Sequence, residues 1–279
     1  MARPAAEVSR KDGLGPRVLS ALVMAPVALA AVYFGNPYFE VLVAVAAGIL
    51  AWEWVRLCAE GHTGPALWLS VAGCVAAVAA AGLQQVAAGF VILAGTVAAV
   101  LLTAVLAGGM LRRRRLWLAA GIPYVGVPCV AAVWLRADPD HGLTWIVWLF
   151  LIIWTADIGA YVSGRLIGGP KLAPALSPNK TWAGLGGAVA GAALAGAAVA
   201  WAAGAAGPAG LVALAALMGA VEQGGDLVES AIKRRFGAKD SSNLIPGHGG
   251  LFDRVDGLIA AIAVTALILS LGTGKVALW

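Results

Sequence analysis

Charge is what this sequence has least of. Of its 279 residues only 12% are Asp, Glu, Lys or Arg, while 61% are hydrophobic. A soluble domain of ordinary composition carries about a quarter charged residues, so these charges are too few to cover a water-facing surface. Cysteine is scarce as well. Cys58, Cys74 and Cys129 each lie in or beside an apolar stretch, with no CxxC spacing. That excludes a disulfide framework or a cysteine zinc site and leaves three small buried hydrophobes. The short alternating segments of a membrane β-barrel are missing too, and an open sheet is excluded in lipid because its edge would be unpaired. What remains is an all-α fold: a polytopic integral membrane helix bundle.

Apolar stretches fall at approximately 18–35, 38–57, 65–83, 86–110, 116–135, 143–168, 183–206, 208–232 and 251–273. A spanning helix needs roughly 20 apolar residues, and each stretch is near that length. Pro and Gly punctuate the gaps, as in Gly35-Asn36-Pro37, Gly64-Pro65 and Gly207-Pro208. With the N-terminus placed in the cytoplasm and sides alternating, 17 of the 19 Lys and Arg residues fall inside, and only Arg136 and Lys275 fall outside. A miscounted span would scramble that bias, so the positive-inside rule supports about nine transmembrane helices, N-terminus in and C-terminus out. The net charge of +5 is therefore an orientation signal, not an argument for nucleic acid. Residues 1–17, with Arg3, Arg10, Lys11 and Arg17, read as a short cytoplasmic tail. Ala28-Leu29-Ala30 resembles a signal-peptide cleavage site, but the basic start suits an uncleaved first helix. The seventh stretch is nearly all Ala, Gly and Val, which predicts a closely packed interior helix.

The residues that carry chemistry lie in the second half. We divide the chain into N-terminal membrane helices over 1–140, read as scaffold and lipid cavity wall, and a catalytic membrane domain over 141–279 with its motif loops in the cytoplasm. In the first part only Glu53, inside Trp52-Glu53-Trp54, stands out. In the second part, Asp157 and Tyr161 are i,i+4 on the sixth helix, with Arg165 one turn on. A loop follows with Ser177-Pro178-Asn179-Lys180-Thr181, whose hydroxyls, amide and ammonium suit a phosphate. The alternative is an ordinary basic loop. On the eighth helix Glu222, Asp226, Glu229 and Lys233 form one stripe at i, i+4, i+7 and i+11. Such acids cannot face lipid. Carboxylates without His or Cys neighbours are the ligands that hard cations such as Mg²⁺ prefer, though an ion-pair network with Lys233 and Arg234 is the alternative. The ninth helix opens with Gly247-His248-Gly249-Gly250-Leu251-Phe252-Asp253-Arg254-Val255-Asp256. Asp253 and Asp256 share a face at a helix start, where they also complement the dipole.

The run Ser230 to Asp256 resembles the signature of phosphatidate cytidylyltransferases, the CDP-diacylglycerol synthases. The pattern is S-x-x-K-R, four residues, K-D, a Pro or Gly before H-G-G, then D-R-x-D. Ser230, Lys233, Arg234, Lys239, Asp240, His248, Gly249, Gly250, Asp253, Arg254 and Asp256 all stand at the expected spacing. Asp157 to Tyr161 and Ser177 to Thr181 are similar to family segments too, and the motif-bearing resemblance covers about 150–257. One departure is Ala183, where the family often has Glu. The resemblance implies that phosphatidate attacks the α-phosphate of CTP to give CDP-diacylglycerol and pyrophosphate for phospholipid biosynthesis, with Mg²⁺ and room for a second cation. It implies a multi-pass protein of the cell inner membrane, its active site facing the cytoplasm, with the lipid bilayer as partner and a homodimer as a reasonable expectation.

On this reading Asp226 and Asp253 are the first choices as metal ligands, with Asp256 and Glu222 next. Lys233, Arg234, Lys239 and Arg254 would hold phosphates, beside Asp240 and His248 in the catalytic set. Ser177, Asn179, Lys180, Thr181, Asp157, Tyr161 and Arg165 would bind substrate. Phosphatidate is already ionised, so His248 is a phosphate or structural contact before it is a base. Rival readings are a kinase or cytidylyltransferase for an isoprenoid lipid, which differs only in its acceptor, and an ion-coupled transporter. The transporter reading is weakened because the acids cluster toward one face and no repeat is visible. A serine protease would need Ser163 and His248 as a pair, and nothing positions them so.

Overall fold

The computed structural model describes residues 14–61, 64–245 and 249–271. The basic start of the N-terminal tail and His248 therefore lie outside the described residues. Proline and glycine set the helix boundaries much as expected. Pro65 and Pro208 are the first residues of their helices, where the missing N–H costs nothing because no intrahelical partner exists there. In chain order the helices are α1 Leu14–Phe34, α2 Tyr38–Cys58, α3 Pro65–Gly82, α4 Val86–Ala107, α5 Gly109–Arg136, α6 Gly142–Leu166, α7 Trp182–Ala202, α8 Pro208–Arg235 and α9 Phe252–Leu271. Among the described residues eight of these are long and apolar enough to cross a membrane, and the apolar part of α1 runs over Met24–Phe34. The protein is a multi-pass, helical membrane protein.

Three details differ from the sequence reading. The loop after α6 holds a two-stranded antiparallel hairpin, β1 Lys171–Ala173 with β2 Ser177–Thr181. Arg112 to Arg115 lie inside α5, and Lys233 to Arg235 inside the last turn of α8, where cations complement the helix dipole. The small-residue helix α7 is not enclosed on all sides. Gly184, Ala188, Ala192, Gly196 and Ala200 form its buried stripe, while Leu194 and Trp201 on other faces are exposed.

Helices α2 to α5 pack as one group and α6 to α9 as another, and α5 against α9 joins them. A single apolar core runs through both. Within the second group the backbones approach closely. A Cβ on Gly219 of α8 would sit 2.8 Å from the Ala188 carbonyl of α7, and one on Gly225 would sit 2.9 Å from the Asp256 carbonyl of α9. Small residues are what allow such packing where lipid removes the hydrophobic driving force between helices.

Two arginines of α5 fasten neighbouring helix ends on opposite faces. Arg114 donates to the Cys58 carbonyl at 2.7 Å and ion-pairs with Glu60 at the end of α2. Arg136 donates to the Val32 and Tyr33 carbonyls at 2.9 and 3.3 Å, at the end of α1. Terminal carbonyls have no intrahelical donor, and a cation there suits the dipole. Gly35 sits under Arg136 with φ +67°, and a Cβ would meet the guanidinium at 2.5 Å. Cys58, Cys74 and Cys129 are free and buried.

Candidate active site

Three elements bring the acidic and basic residues together at the end of the bundle that carries the hairpin. The first is β2. Its Lys180 donates to Gln223 Oε1 at 2.8 Å and ion-pairs with Asp226 at 2.6 Å, both on α8. Thr181 is buried, and its Oγ1 accepts the Gly184 N–H at 3.0 Å. It is thus the N-cap of α7, satisfying one of the donors that open any helix. Ser177 is half-buried and Asn179 exposed on the same strand.

The second element is the last four turns of α8. Glu222 is buried, accepts from Gln223 Nε2 at 2.8 Å and lies beside Asp157 of α6. Asp226 also accepts from Ser230 Oγ at 3.3 Å. Glu229 is completely enclosed and ion-pairs with Lys233 at 2.6 Å through Oε2. Beyond this ion pair, neither oxygen has a hydrogen-bond partner among the described residues. Arg234 is exposed and donates to the Ala238 carbonyl at 3.3 Å.

The third element is the loop after α8 and the start of α9. Asp253 is saturated: Oδ1 accepts from Lys233 Nζ at 2.7 Å, and Oδ2 accepts from the Ser241 N–H, the Ser241 hydroxyl and the Gly250 N–H at 2.9, 2.9 and 2.8 Å. Asp256 lies one turn further on and faces α8. Asp226, Glu229 and Asp256 each place an oxygen within 4.8 Å of the others. Lys239 and Asp240 are exposed in the loop. Tyr161 and Arg165 are exposed on α6, with the guanidinium donating to the phenol oxygen at 2.9 Å.

The balance of charge is what makes this a site. Asp157, Glu222, Asp226, Glu229, Asp253 and Asp256 stand against Lys180, Lys233 and Arg254 as the nearby cations. Two like charges at 4.8 Å repel by roughly 3 kcal/mol at an effective dielectric of about 20. The cluster therefore gathers more acids than bases and leaves oxygens open, and a hard cation would meet both conditions.

Two cavities flank the motif loop. One, of about 620 Å³, is lined by Trp52, Arg56, Glu60, Phe236, Asp240 and Asn243 among others. Arg56 lies over the Trp52 ring at 4.9 Å. The other, of about 550 Å³, is apolar except for Arg254.

The model of the cytidylyltransferase family matches residues 15–271, nearly the whole chain. The chain belongs to the cytidylyltransferase family. A phosphatidate cytidylyltransferase of Brucella suis is 42% identical over 262 residues, covering 92% of this chain and 93% of that protein. One of Pseudomonas aeruginosa is 38% identical over 267 residues, covering 92% and 97%. One of Haemophilus influenzae is 42% identical over 147 residues, about half of each chain.

In this cytidylyltransferase the sequence reading and the geometry group the acids differently. Asp226 and Asp256 are brought together. Asp253 and Glu222 are not part of that trio, because Asp253 holds Lys233 and the motif loop while Glu222 turns toward Gln223 and Asp157. Glu229, seen in the acidic stripe but left out of the ligand choice, takes the third place. Gln223 joins the site between Lys180 and Glu222, and the signal for it in the sequence is an amide inside an apolar helix. Glu53 also reaches this region. It accepts from the Ser242 hydroxyl at 2.5 Å and from the Leu251 and Phe252 N–H groups at 2.9 and 2.7 Å.

Proposed function

We infer that this chain is a phosphatidate cytidylyltransferase: it transfers the cytidylyl group of CTP to phosphatidate, giving CDP-diacylglycerol and pyrophosphate for phospholipid synthesis. The observation that carries the reading is the meeting of motif residues from β2, α8 and α9 in one polar site, in a chain similar over 92% of its length to proteins of that name.

In the reaction a phosphate oxygen of phosphatidate forms a bond to the α-phosphorus of CTP. The bond from that phosphorus to the bridging oxygen breaks, and pyrophosphate leaves with the electron pair. The attacking oxygen is already charged, so the protein's task is to position polyanions and stabilise charge rather than to remove a proton. Lys180 and Lys233 are the ammonium groups placed between the acids and the loops, and each can meet a phosphate oxygen. Asp253 fixes Lys233 and, through Ser241 and Gly250, the backbone of the motif loop.

A divalent cation belongs to this proposal. Asp226, Glu229 and Asp256 form an all-oxygen donor set, and Glu229 offers oxygens without hydrogen-bond partners, which fits Mg²⁺. Those three residues would hold it. Such an ion, when bound, neutralises phosphate oxygens and the charge that develops on the leaving pyrophosphate. We place the site at the cytoplasmic face of the membrane, on the distribution of 17 of the 19 basic residues.

The test is the purified protein with labelled CTP, offered phosphatidate, a polyprenyl phosphate and diacylglycerol at several Mg²⁺ concentrations. Labelled lipid and pyrophosphate should form together, with phosphatidate alone and only with the divalent ion. Product from the polyprenyl phosphate but not from phosphatidate would overturn the assignment of the acceptor.

A further inference from the structure

The larger of the two cavities is chemically unlike the acidic site. Trp52, Arg56 and Glu60 wall it at the end of α2, Phe236 where α8 ends, and Asp240 to Leu244 along the motif loop. Its volume of about 620 Å³ lies within the range of roughly 300–1,000 Å³ for small-molecule pockets. Flat groups are held in its wall. The Arg56 guanidinium lies over the Trp52 ring at 4.9 Å. The Phe236 ring meets Trp117 edge-on at 5.5 Å and carries the Arg114 guanidinium 5.2 Å from its centre.

Charge decides which part of a nucleotide fits. Among the described residues the charged members of the wall are Arg56, Glu60 and Asp240, and Glu60 ion-pairs with Arg114. A phosphate entering here would meet two carboxylates and one guanidinium, a poorer setting than the ammonium groups of Lys180 and Lys233. A neutral, flat group with a polar edge suits it better. Such a group stacks on an aromatic or guanidinium face, and the Asp240 carboxylate and the Asn243 amide supply an acceptor and a donor for its edge. The cavity also shares a wall with the phosphate-binding residues. Ser241 lines it and donates through its hydroxyl to Asp253 at 2.9 Å, and Asp253 accepts from Lys233 at 2.7 Å. One side chain thus stands between the cavity wall and the Lys233 ammonium.

We propose that this cavity seats the cytosine of CTP, stacked against the Trp52–Arg56 pair, with Asp240 accepting from its exocyclic amine and Asn243 donating to its carbonyl oxygen. The proposal rests on the reading of the protein as a phosphatidate cytidylyltransferase and adds the determinant of its nucleotide choice. Cytosine presents an amino donor where uracil presents a carbonyl acceptor, and a carboxylate can accept only from the first. Against uracil the two acceptors repel, so Asp240 selects by rejection as well as by contact. The end of α2, in the N-terminal half, thereby takes a direct part in substrate choice.

The experiment measures kcat/KM for CTP and for UTP in the full-length protein, with phosphatidate and Mg²⁺ saturating. Asp240→Asn turns an acceptor into a group that can also donate, and should lower the CTP-to-UTP ratio at least tenfold. Trp52→Ala should raise the KM for CTP at least tenfold. Its kcat, its KM for phosphatidate and its inhibition by pyrophosphate should stay unchanged, because the phosphate end is untouched. Trp52→Phe should restore most of the KM. An unchanged CTP-to-UTP ratio in Asp240→Asn, or an unchanged KM for CTP in Trp52→Ala, overturns the proposal. So does a loss of pyrophosphate inhibition in step with the KM, which would show that Trp52 supports the fold of the whole site. If Trp52→Ala melts early in detergent, the ratio in Asp240→Asn decides, since Asp240 is exposed. If the unaltered protein forms no product from CTP and phosphatidate, the parent reading fails instead.

Discussion

Glu53 near the end of α2 and Glu229 near the end of α8 are both 0% exposed, and the molecule treats them in opposite ways. Glu53 receives three hydrogen bonds, two of them from the Leu251 and Phe252 N–H groups where α9 begins. A carboxylate at a helix N-terminus meets unpaired donors and the positive end of the dipole. Its charge is fully answered by protein. The surroundings are tight as well: Trp54, Tyr124 and Phe252 form an aromatic cluster with centroids 5.1 to 5.8 Å apart. Glu229 receives Lys233 and stands among the acids, with Asp226 and Asp256 close by. Its charge is answered in part. The difference teaches that burial by itself does not mark a functional acid. What marks it is burial with lone pairs left over.

The largest effect we expect sharpens the Glu229 side. Asp226→Asn and Asp256→Asn should each reduce turnover by on the order of 100-fold or more; both relieve repulsion among the acids, but Asp226→Asn also gives up the ion pair with Lys180, so any drop in melting temperature should be confined to that variant. Mg²⁺ should raise the melting temperature of the unaltered protein, by up to about 2.7 kcal/mol of stability at 100 times its Kd, and leave that of both variants unmoved. Near-normal turnover, or a Mg²⁺ response retained by both, would break the distinction.

Next comes the Glu53 side, where the effect should appear in stability. Glu53→Ala strands two N–H groups and a hydroxyl, at a cost of about 3 kcal/mol, read from denaturation in detergent. Glu53→Gln keeps acceptor capacity and should lose about half as much. A Glu53→Ala protein that melts normally yet fails in turnover would move this residue to the functional class.

Gly257→Ala probes the crossing of α8 and α9 between the two regions. The added Cβ would meet Glu222 Cγ at 2.6 Å, and such overpacking costs roughly 1–3 kcal/mol. A variant as stable as the parent would show that the crossing has slack. The smallest effect belongs to Arg136→Ala on the opposite face. Loss of its bonds to the end of α1 should cost about 1 kcal/mol with turnover unchanged, and altered turnover would show that the site is coupled across the membrane.

Much of the fold was legible because lipid leaves few options. Apolar runs of one membrane thickness, broken by Gly-Pro pairs, place the helices within a few residues of where they lie, except that α5 begins two turns early because Arg112 to Arg115 extend it. The Asp226 stripe was legible for the same reason, since acids in an apolar helix have nowhere neutral to go. The hairpin after α6 was not, because a segment rich in Pro and Lys shows no alternation that would declare Ser177 to Thr181 a strand. Nor was the division of labour between Asp253 and Asp256. They sit three residues apart on one helix, and which of them meets Lys233 and which meets Asp226 depends on how α8 crosses α9.

The chain's chemistry by itself determined the membrane class, the helix spans and the segments where phosphate chemistry could occur, because hydrophobic length and uncompensated charge are local properties of a sequence. Only the tertiary structure decided the rest. Glu53 meets Phe252 across 199 positions of chain, Lys180 meets Asp226, and an apolar groove closes around Arg254. Such partners are set by how helices cross, and a periodicity within one helix carries no record of its neighbour's rotation.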